Sequence, residues 1–363
     1  MPLSKNTLLV TGAPGWLGDA LLTQLGGLSP EREKKIPLVS SFQEKETRRA
    51  FRIRCLFQSQ LPPEQLMAWR LEHPEVSDII VGDLRDAEAR RGACANLQGG
   101  SVLHAAGVIH PQRTSEWYQV NCDGALRLAE TARAAGARRF VYVSSNAAQG
   151  VSTNSSVLLT EDMPCQPQSH YGCSKYQAEQ GLLKLHEPGR FEVVIARPCM
   201  FYGPSMPDRH VKIFKRIATS RLPLVGGGRY SRSISYIDDL CIGLILCLIH
   251  PKASGEIFNL CDARAYTTRE VCDAMASALG VTVRYLPLPA FVSTIAYSLD
   301  RALAAVGIYW MAIHLLGEAN WNVGCSSRKA TELLGFAPKM DIVEGYRRAV
   351  SVANEPLMNA NKR

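Results

Sequence analysis

The chain lacks any apolar run long enough to cross a bilayer. Its best candidate, 291–316, is broken by Asp300, Arg301 and His314, whereas a spanning helix needs about 20 apolar residues. No secretion signal is read, because Leu8-Leu9-Val10 is too short and runs straight into glycines. Cys-x-x-Cys pairs and cysteine–histidine groups at metal spacing are also missing. The 11 cysteines are odd in number and scattered, so reduced thiols, no metal and a cytoplasmic location are expected. No stretch concentrates basic charge. The net charge of +8, from 41 basic and 33 acidic side chains, suits an anionic ligand and gives no reason to expect nucleic acid. No internal repeat or low-complexity stretch stands out. With 46% apolar and 20% charged residues over 363 positions, disorder, a collagen-like rod and a small disulfide-stapled scaffold are excluded. The length fits one large domain or two coupled ones.

What is present is a rhythm. Short apolar runs at 7–10, 52–57, 78–81, 101–103, 139–143 and 191–196 read as strands. Helical spacing at 17–25, 117–135 and 171–186 falls between them. Strands alternating with helices predict a parallel sheet covered on both faces. After Arg197 the rhythm breaks at Pro198, Pro204, Pro207, Pro223 and Gly226-Gly227-Gly228, around a short helix at 211–220. Regular elements return at 236–249 and 257–286, and the tail from Leu288 is mostly helical. The expected fold is α/β: a Rossmann-type, doubly wound parallel sheet with a smaller, mostly helical substrate domain. The nucleotide domain is assigned to 1–197 and 233–286, the substrate region to 198–232 and 287–363. The polar insertion 26–50, with six basic and four acidic residues, is unusually long for such a connection and reads as a solvated surface loop.

The chemistry begins at Thr11-Gly12-Ala13-Pro14-Gly15-Trp16-Leu17-Gly18, between the first strand and the first helix. Gly12 permits a tight turn, Gly15 lets the backbone approach a pyrophosphate, and Gly18 lets helix and sheet pack closely. The helix N-terminus then faces the phosphates. Cofactor choice is read at the end of the second strand. Gln58-Ser59-Gln60 offers neither the carboxylate that marks NAD nor the arginine that marks NADP, so both stand open. Asp83-Leu84 follows the third strand, where a carboxylate can accept from an adenine amino group. His104-Ala105-Ala106-Gly107 follows the fourth, where small residues let a dinucleotide lie against the backbone. His104 itself reads as a packed structural histidine. Tyr171 and Lys175 share a helix face at four-residue spacing. An ammonium there and a nicotinamide ribose are expected to favour the phenolate, lower the tyrosine pKa and fit it for acid–base work on an alcohol–ketone pair. Ser144-Ser145 ends the fifth strand and Asn121 lies in the preceding helix. Cys173 and Cys199 fall near the site without an activating partner.

Together and in order, these motifs resemble the extended short-chain dehydrogenase/reductases over nearly the whole chain. Arg197-Pro198 through Tyr202-Gly203-Pro204 and Tyr236-Ile237-Asp238-Asp239-Leu240 belong to the same resemblance. It implies that Ser145, chosen over Ser144 by register back from Gly150, orients the substrate oxygen. It further implies that Tyr171 moves the proton, Lys175 binds the ribose and tunes Tyr171, Asn121 completes the catalytic set, and Pro198 joins the cofactor contacts. Met200, Tyr202 and Arg232 are the implied substrate contacts. Asn146-Ala147 stands where sugar-nucleotide dehydratases carry an acidic pair, so 4,6-dehydration is not expected. Of the three groups with which sugar-nucleotide epimerases grip a diphosphate, only Arg232 is kept; Met200 and Leu316 fill the other places. Leu286-Pro287-Leu288-Pro289 and the apolar stretch after it resemble the 3β-hydroxysteroid dehydrogenase branch. The leading expectation is therefore an NAD- or NADP-dependent oxidoreductase of 3β-hydroxysteroid dehydrogenase type on a fairly apolar small-molecule substrate. A sugar-nucleotide epimerase is the alternative, and a non-catalytic dinucleotide sensor the third reading. The apolar flap suits such a substrate, a membrane surface, a dimer partner or plain core packing. Family members commonly dimerise through the tyrosine-bearing helix, which leaves a homodimer open.

Overall fold

The computed structural model describes residues 7–27, 52–207, 213, 214, 216–218 and 221–352. Residues 28–50 of the polar insertion, and half of the expected helix at 211–220, lie outside the described residues. Seven strands form the main sheet: β1 (Thr7–Thr11), β2 (Arg52–Phe57), β3 (Val76–Val81), β4 (Ser101–His104), β5 (Arg139–Val143), β6 (Glu192–Pro198) and an edge strand, Ile257–Leu260. Their spatial order is edge strand, β6, β5, β4, β1, β2, β3, and every neighbouring pair is parallel.

The sheet is buried on both faces, which is why its inner strands read as unbroken apolar runs. Every residue of β1, β5 and β6 is buried. Leu8, Val10, Val141 and Val194 pack on one face with Leu21 of the helix Trp16–Gly27 and Leu244 of the helix Ile237–Ile249. Leu9, Val102, Phe140 and Ile195 pack on the other with Leu128 and Leu182. The order reverses between β1 and β4, and a crevice opens there beyond the carboxyl ends of the strands. Gly12 and Ala105 sit at that point.

The long helix expected at 117–135 runs from 114 to 134 and is wound as a π-helix over Trp117–Gly124. The tyrosine-bearing helix spans His170–Leu183, capped by the Ser169 hydroxyl on the Gly172 amide. Two further helices, Pro63–Glu72 and Ala87–Ala93, carry little periodic signal; the first buries only Trp69.

The smaller lobe has its own core, including Tyr202, Phe214, Tyr236, Met275 and Tyr346. It is mostly helical, as expected, with three short two-stranded pieces added. Of these, Arg221–Val225 pairs with Arg284–Leu288 in parallel. The apolar tail folds into a hairpin of two helices, Ala290–Ala305 and Met311–Gly317. Among the described residues no helix is long and apolar enough to cross a membrane.

Candidate active site

The glycine turn is held by contact as well as conformation. Gly12 has φ +97°, a left-handed value that side chains rarely adopt. A Cβ on Gly18 would stand 2.5 Å from the Gly12 carbonyl oxygen, and one on Gly15 2.6 Å from it. Backbone alone can coil this tightly over the start of the helix Trp16–Gly27. The Ala105 amide donates to the Thr11 carbonyl at 3.2 Å. The Thr11 hydroxyl lies 2.6 Å from His104 Nδ1 and accepts from the Ala106 amide at 3.2 Å. Burial holds His104 neutral, its pKa pushed down to about 3. As expected, it packs structurally, stacked near Tyr142 with ring centres 5.8 Å apart. Trp16 Nε1 donates to the Pro204 carbonyl at 2.7 Å, tying the turn to the smaller lobe. A tight glycine turn feeding a helix N-terminus at the crevice fits a dinucleotide's pyrophosphate.

Across the crevice the reactive side chains converge. Tyr171 is close enough to Ser145 for that hydroxyl to lower its pKa; the Ser145 Oγ donates to Asn146 Oδ1 at 3.4 Å and accepts from the Ala147 amide at 3.2 Å. Lys175 is 3% exposed; its Nζ donates to the Val143 carbonyl at 3.0 Å and lies 6.0 Å from the Tyr171 ring centre. Burial pulls its pKa down to about 8, and Glu179 acts in the opposite direction. Asn121 grips the loop after β4 at both ends. Its Oδ1 accepts from the Val108 amide at 2.8 Å, and its Nδ2 donates to the Val108 carbonyl at 2.9 Å. A Cβ on Gly107 would lie 3.0 Å from Asn121 Oδ1 and 3.2 Å from Lys175 Nζ, so the three groups crowd one spot.

The expected lowering of the tyrosine pKa belongs to the ammonium and a nicotinamide ribose together, and the protein by itself does not produce it. Burial raises Tyr171 to about 12, outweighing the opposing effect of the Ser145 hydroxyl. Tyr171 is therefore a phenol at neutral pH, poised to give a proton.

Sequence reasoning missed the support behind this set. Glu179, one turn beyond Lys175 and fully buried, accepts from the Ser144 hydroxyl at 2.5 Å. It also takes a two-pronged ion pair from Arg197 at 2.9 and 2.6 Å. The four-residue step from Lys175 was the available signal.

The remaining candidates are dispersed. The Asp83 carboxylate is taken by Arg85 at 2.9 and 2.7 Å, which lowers its pKa, and Leu84 is buried. Gln58 and Ser59 are exposed beyond β2. Pro198 ends β6, and Met200 is 45% exposed. Tyr202 is 4% exposed in the small-lobe core, its ring centre 4.2 Å from that of Tyr346. Arg232 donates to the Glu318 carbonyl at 2.8 Å and to the Thr268 hydroxyl at 3.3 Å, so its guanidinium braces the tail. Cys199 packs with Cys261 and Cys325, and hydrogen bonds from these two push its thiol well up; burial raises the Cys173 thiol. Neither is an activated nucleophile.

The helical hairpin is pinned beside the reactive set. The Tyr297 hydroxyl donates to the Gln168 carbonyl at 3.3 Å, three residues before Tyr171, and the Tyr309 hydroxyl lies 2.8 Å from His110 Nδ1.

A doubly wound sheet, a glycine turn at its switch point and Ser145, Tyr171 and Lys175 opposite are the features that carry the resemblance to extended short-chain dehydrogenase/reductases. The chain belongs to the NAD dependent epimerase/dehydratase family, whose model matches residues 8–261. An uncharacterized protein of Sinorhizobium fredii, y4nL, is 34% identical over 96% of both chains. The UDP-glucose 4-epimerase of Vibrio cholerae is 27% identical, over 72% of this chain and 78% of its own. A 4-hydroxy-2-methyl-3-oxo-4-farnesyl-3,4-dihydroquinoline-1-oxide ketoreductase of Stigmatella aurantiaca is 26% identical over 93% of both.

Proposed function

We propose that the protein interconverts a secondary alcohol and a ketone on an apolar small molecule, with NAD or NADP as hydride carrier. The observation that carries this reading is the Tyr171 phenol beside Ser145, with the Nζ of the buried Lys175 6.0 Å from its ring centre. The residues that would hold the dinucleotide are the turn Gly12 to Gly18, Ala105, Ala106 and Lys175. Bound there, it supplies or accepts the hydride. Ser145 and Tyr171 donate hydrogen bonds to the substrate oxygen. As a ketone is reduced, Tyr171 passes its proton to the developing alkoxide, and the Lys175 ammonium stabilises the phenolate left behind. The alcohol direction reverses these moves. Asn121 fixes the loop that borders them. The nucleotide half would be 1–197 with the helix Ile237–Ile249 and the edge strand Ile257–Leu260; the substrate half would be 198–232 with 287–363, joined by 266–286, whose Tyr266, Val271 and Met275 pack in the smaller lobe's core.

Three features support an apolar substrate. Met200 cannot donate to an anion, Leu316 carries no charge, and the Arg232 guanidinium is committed to Glu318 and Thr268. The ketoreductase relative, named for a farnesylated substrate, agrees with this choice. A sugar-nucleotide epimerase is the second reading, favoured by the Vibrio relative.

The test begins with the purified protein. It is denatured and any released nicotinamide identified and counted by mass spectrometry, and NADH and NADPH oxidation is then followed with apolar ketones. Reversible cofactor binding, with turnover of an apolar ketone lost in Tyr171→Phe, is the expected result. Near-stoichiometric NAD that survives dialysis, with UDP-sugar interconversion, would overturn it in favour of the epimerase. Unchanged turnover in Tyr171→Phe would sink both readings.

A further inference from the structure

We propose that the outer face of the smaller lobe, from the strand pair Arg221–Val225 and Arg284–Leu288 into the helical hairpin, docks on an anionic lipid bilayer. This rests on the apolar-substrate reading in one respect: it makes the bilayer the place where that substrate is met.

The apolar part of the surface is continuous along the chain. Phe291, Ile295 and Leu299 are 61%, 61% and 44% exposed, and their four-residue spacing puts them on one helix face. Val306, Ile308 and Trp310, between the two helices, are 71%, 51% and 58% exposed. A soluble monomer rarely leaves so many large apolar side chains together in water. The fold does not need them for its own closure. The hairpin is fixed to the body by other residues, Tyr297 to Gln168 and Tyr309 to His110, and its two helices are joined by the buried Ser293 hydroxyl, which donates to the Leu316 carbonyl at 2.7 Å.

Charge selects the occupant. In the strand pair Arg221 stands opposite Arg284, and Pro223 opposite Leu286. Residues two apart share a face of a strand, so Arg284 and Leu286 lie on one face, both exposed. Tyr285 lies on the other, its hydroxyl donating to Asp273 at 2.5 Å. Among the described residues neither Arg221 nor Arg284 has a partner, and two like charges directly opposed disfavour the pairing. Within the hairpin, Asp300 and Glu318 bracket His314 at 2.9 and 3.2 Å, so they do not offset the arginines. A second copy of this chain on a two-fold axis would set these arginines against a like-charged face. Anionic headgroups would neutralise them, with the apolar stripe resting at the acyl boundary and Trp310 at headgroup depth.

The full chain is spun with vesicles of phosphatidylcholine alone and of phosphatidylcholine mixed with phosphatidylglycerol. It should sediment with the mixed vesicles, stay free of the neutral ones, and be released by salt. Arg221→Gln and Arg284→Gln should each weaken binding about 5-fold, and Phe291→Ser with Trp310→Ser should abolish it. Tryptophan emission should shift to the blue on mixed vesicles, and Trp310→Phe should remove the shift. No sedimentation with mixed vesicles would overturn the proposal. So would a concentration-dependent dimer that Phe291→Ser dissolves, which would assign the face to a second copy. Turnover of a water-soluble ketone without vesicles is measured in parallel; its retention in every variant separates failure of docking from failure of the oxidoreductase reading.

Discussion

Replacing Glu179 by glutamine keeps the shape of the side chain and removes one charge from the deepest ion pair near the site. Arg197 and Glu179 are 1% and 0% exposed, with Nη2 and Oε2 2.6 Å apart. Two charges buried this far are compensated by each other, and removing one leaves the other without water or a counter-charge. Such a loss costs about 3–5 kcal/mol, a large share of the roughly 5–15 kcal/mol that holds a typical protein folded. In a chain of this size it should lower Tm by roughly 4–7 °C. Arg197→Met should do similar damage, whereas Arg197→Met with Glu179→Leu should cost less than either single change, because no orphan charge remains. The active site should respond as well. The carboxylate favours the ammonium form of Lys175, whose pKa stands at about 8. Without it the alkaline limb of kcat/KM should move to lower pH. Scanning calorimetry and a pH–rate profile measure the two effects. A Tm change in Glu179→Gln below about 2 °C with an unmoved alkaline limb would refute the reasoning.

Three more outcomes follow from the same geometry. Gly18→Ala places a Cβ 2.5 Å from the Gly12 carbonyl oxygen and 2.7 Å from its carbon; backbone cannot yield there, so NAD binding by fluorescence titration should weaken at least about tenfold, and unchanged affinity would count against the turn. His314, held between Asp300 and Glu318, has its pKa raised from 6.5 to about 9. Its stabilising contribution is therefore complete below 6.5 and lost as pH rises through about 9, so protease nicking of the hairpin 290–317 should accelerate there, and in His314→Gln should be equally fast on both sides. Lys175 has the opposite sign. Its depressed pKa of about 8, against 10.5 ordinarily, means that its charge is lost as pH climbs through 8. Lys175→Met should lower kcat/KM by about 10²-fold and erase that limb, and an intact limb would show that another group titrates.

The sequence made legible whatever depends on neighbours along the chain. Strands at 52–57 and 139–143 were placed to the residue, the first by the alternation of Ile53, Cys55 and Phe57 and the second by its short apolar run. The edge strand β3 begins two residues earlier than its apolar run, because its outer residues need not be apolar. Tyr171, Lys175 and Ser145 were found by spacing, and spacing tells which groups meet. It does not tell how dry the meeting place is. Hence the ammonium that favours the phenolate was visible, and the burial that raises Tyr171 in the protein by itself was not. Glu179 was hidden for a related reason. On its own helix it looks like any acid at a four-residue step from a lysine. Its meaning comes from Ser144, 35 residues before it, and Arg197, 18 residues after it, and only the packing of β5 and β6 against the helix brings the three together. Tyr202 shows the same limit in the smaller lobe, where a motif tyrosine is claimed by Tyr236 and Tyr346 from distant segments. The site is thus two layers written in different ways. The layer that would touch substrate and cofactor is encoded in local motifs. The layer that sets its charge is encoded in long-range packing, and the chemistry of Lys175 depends on that layer as much as on its own motif.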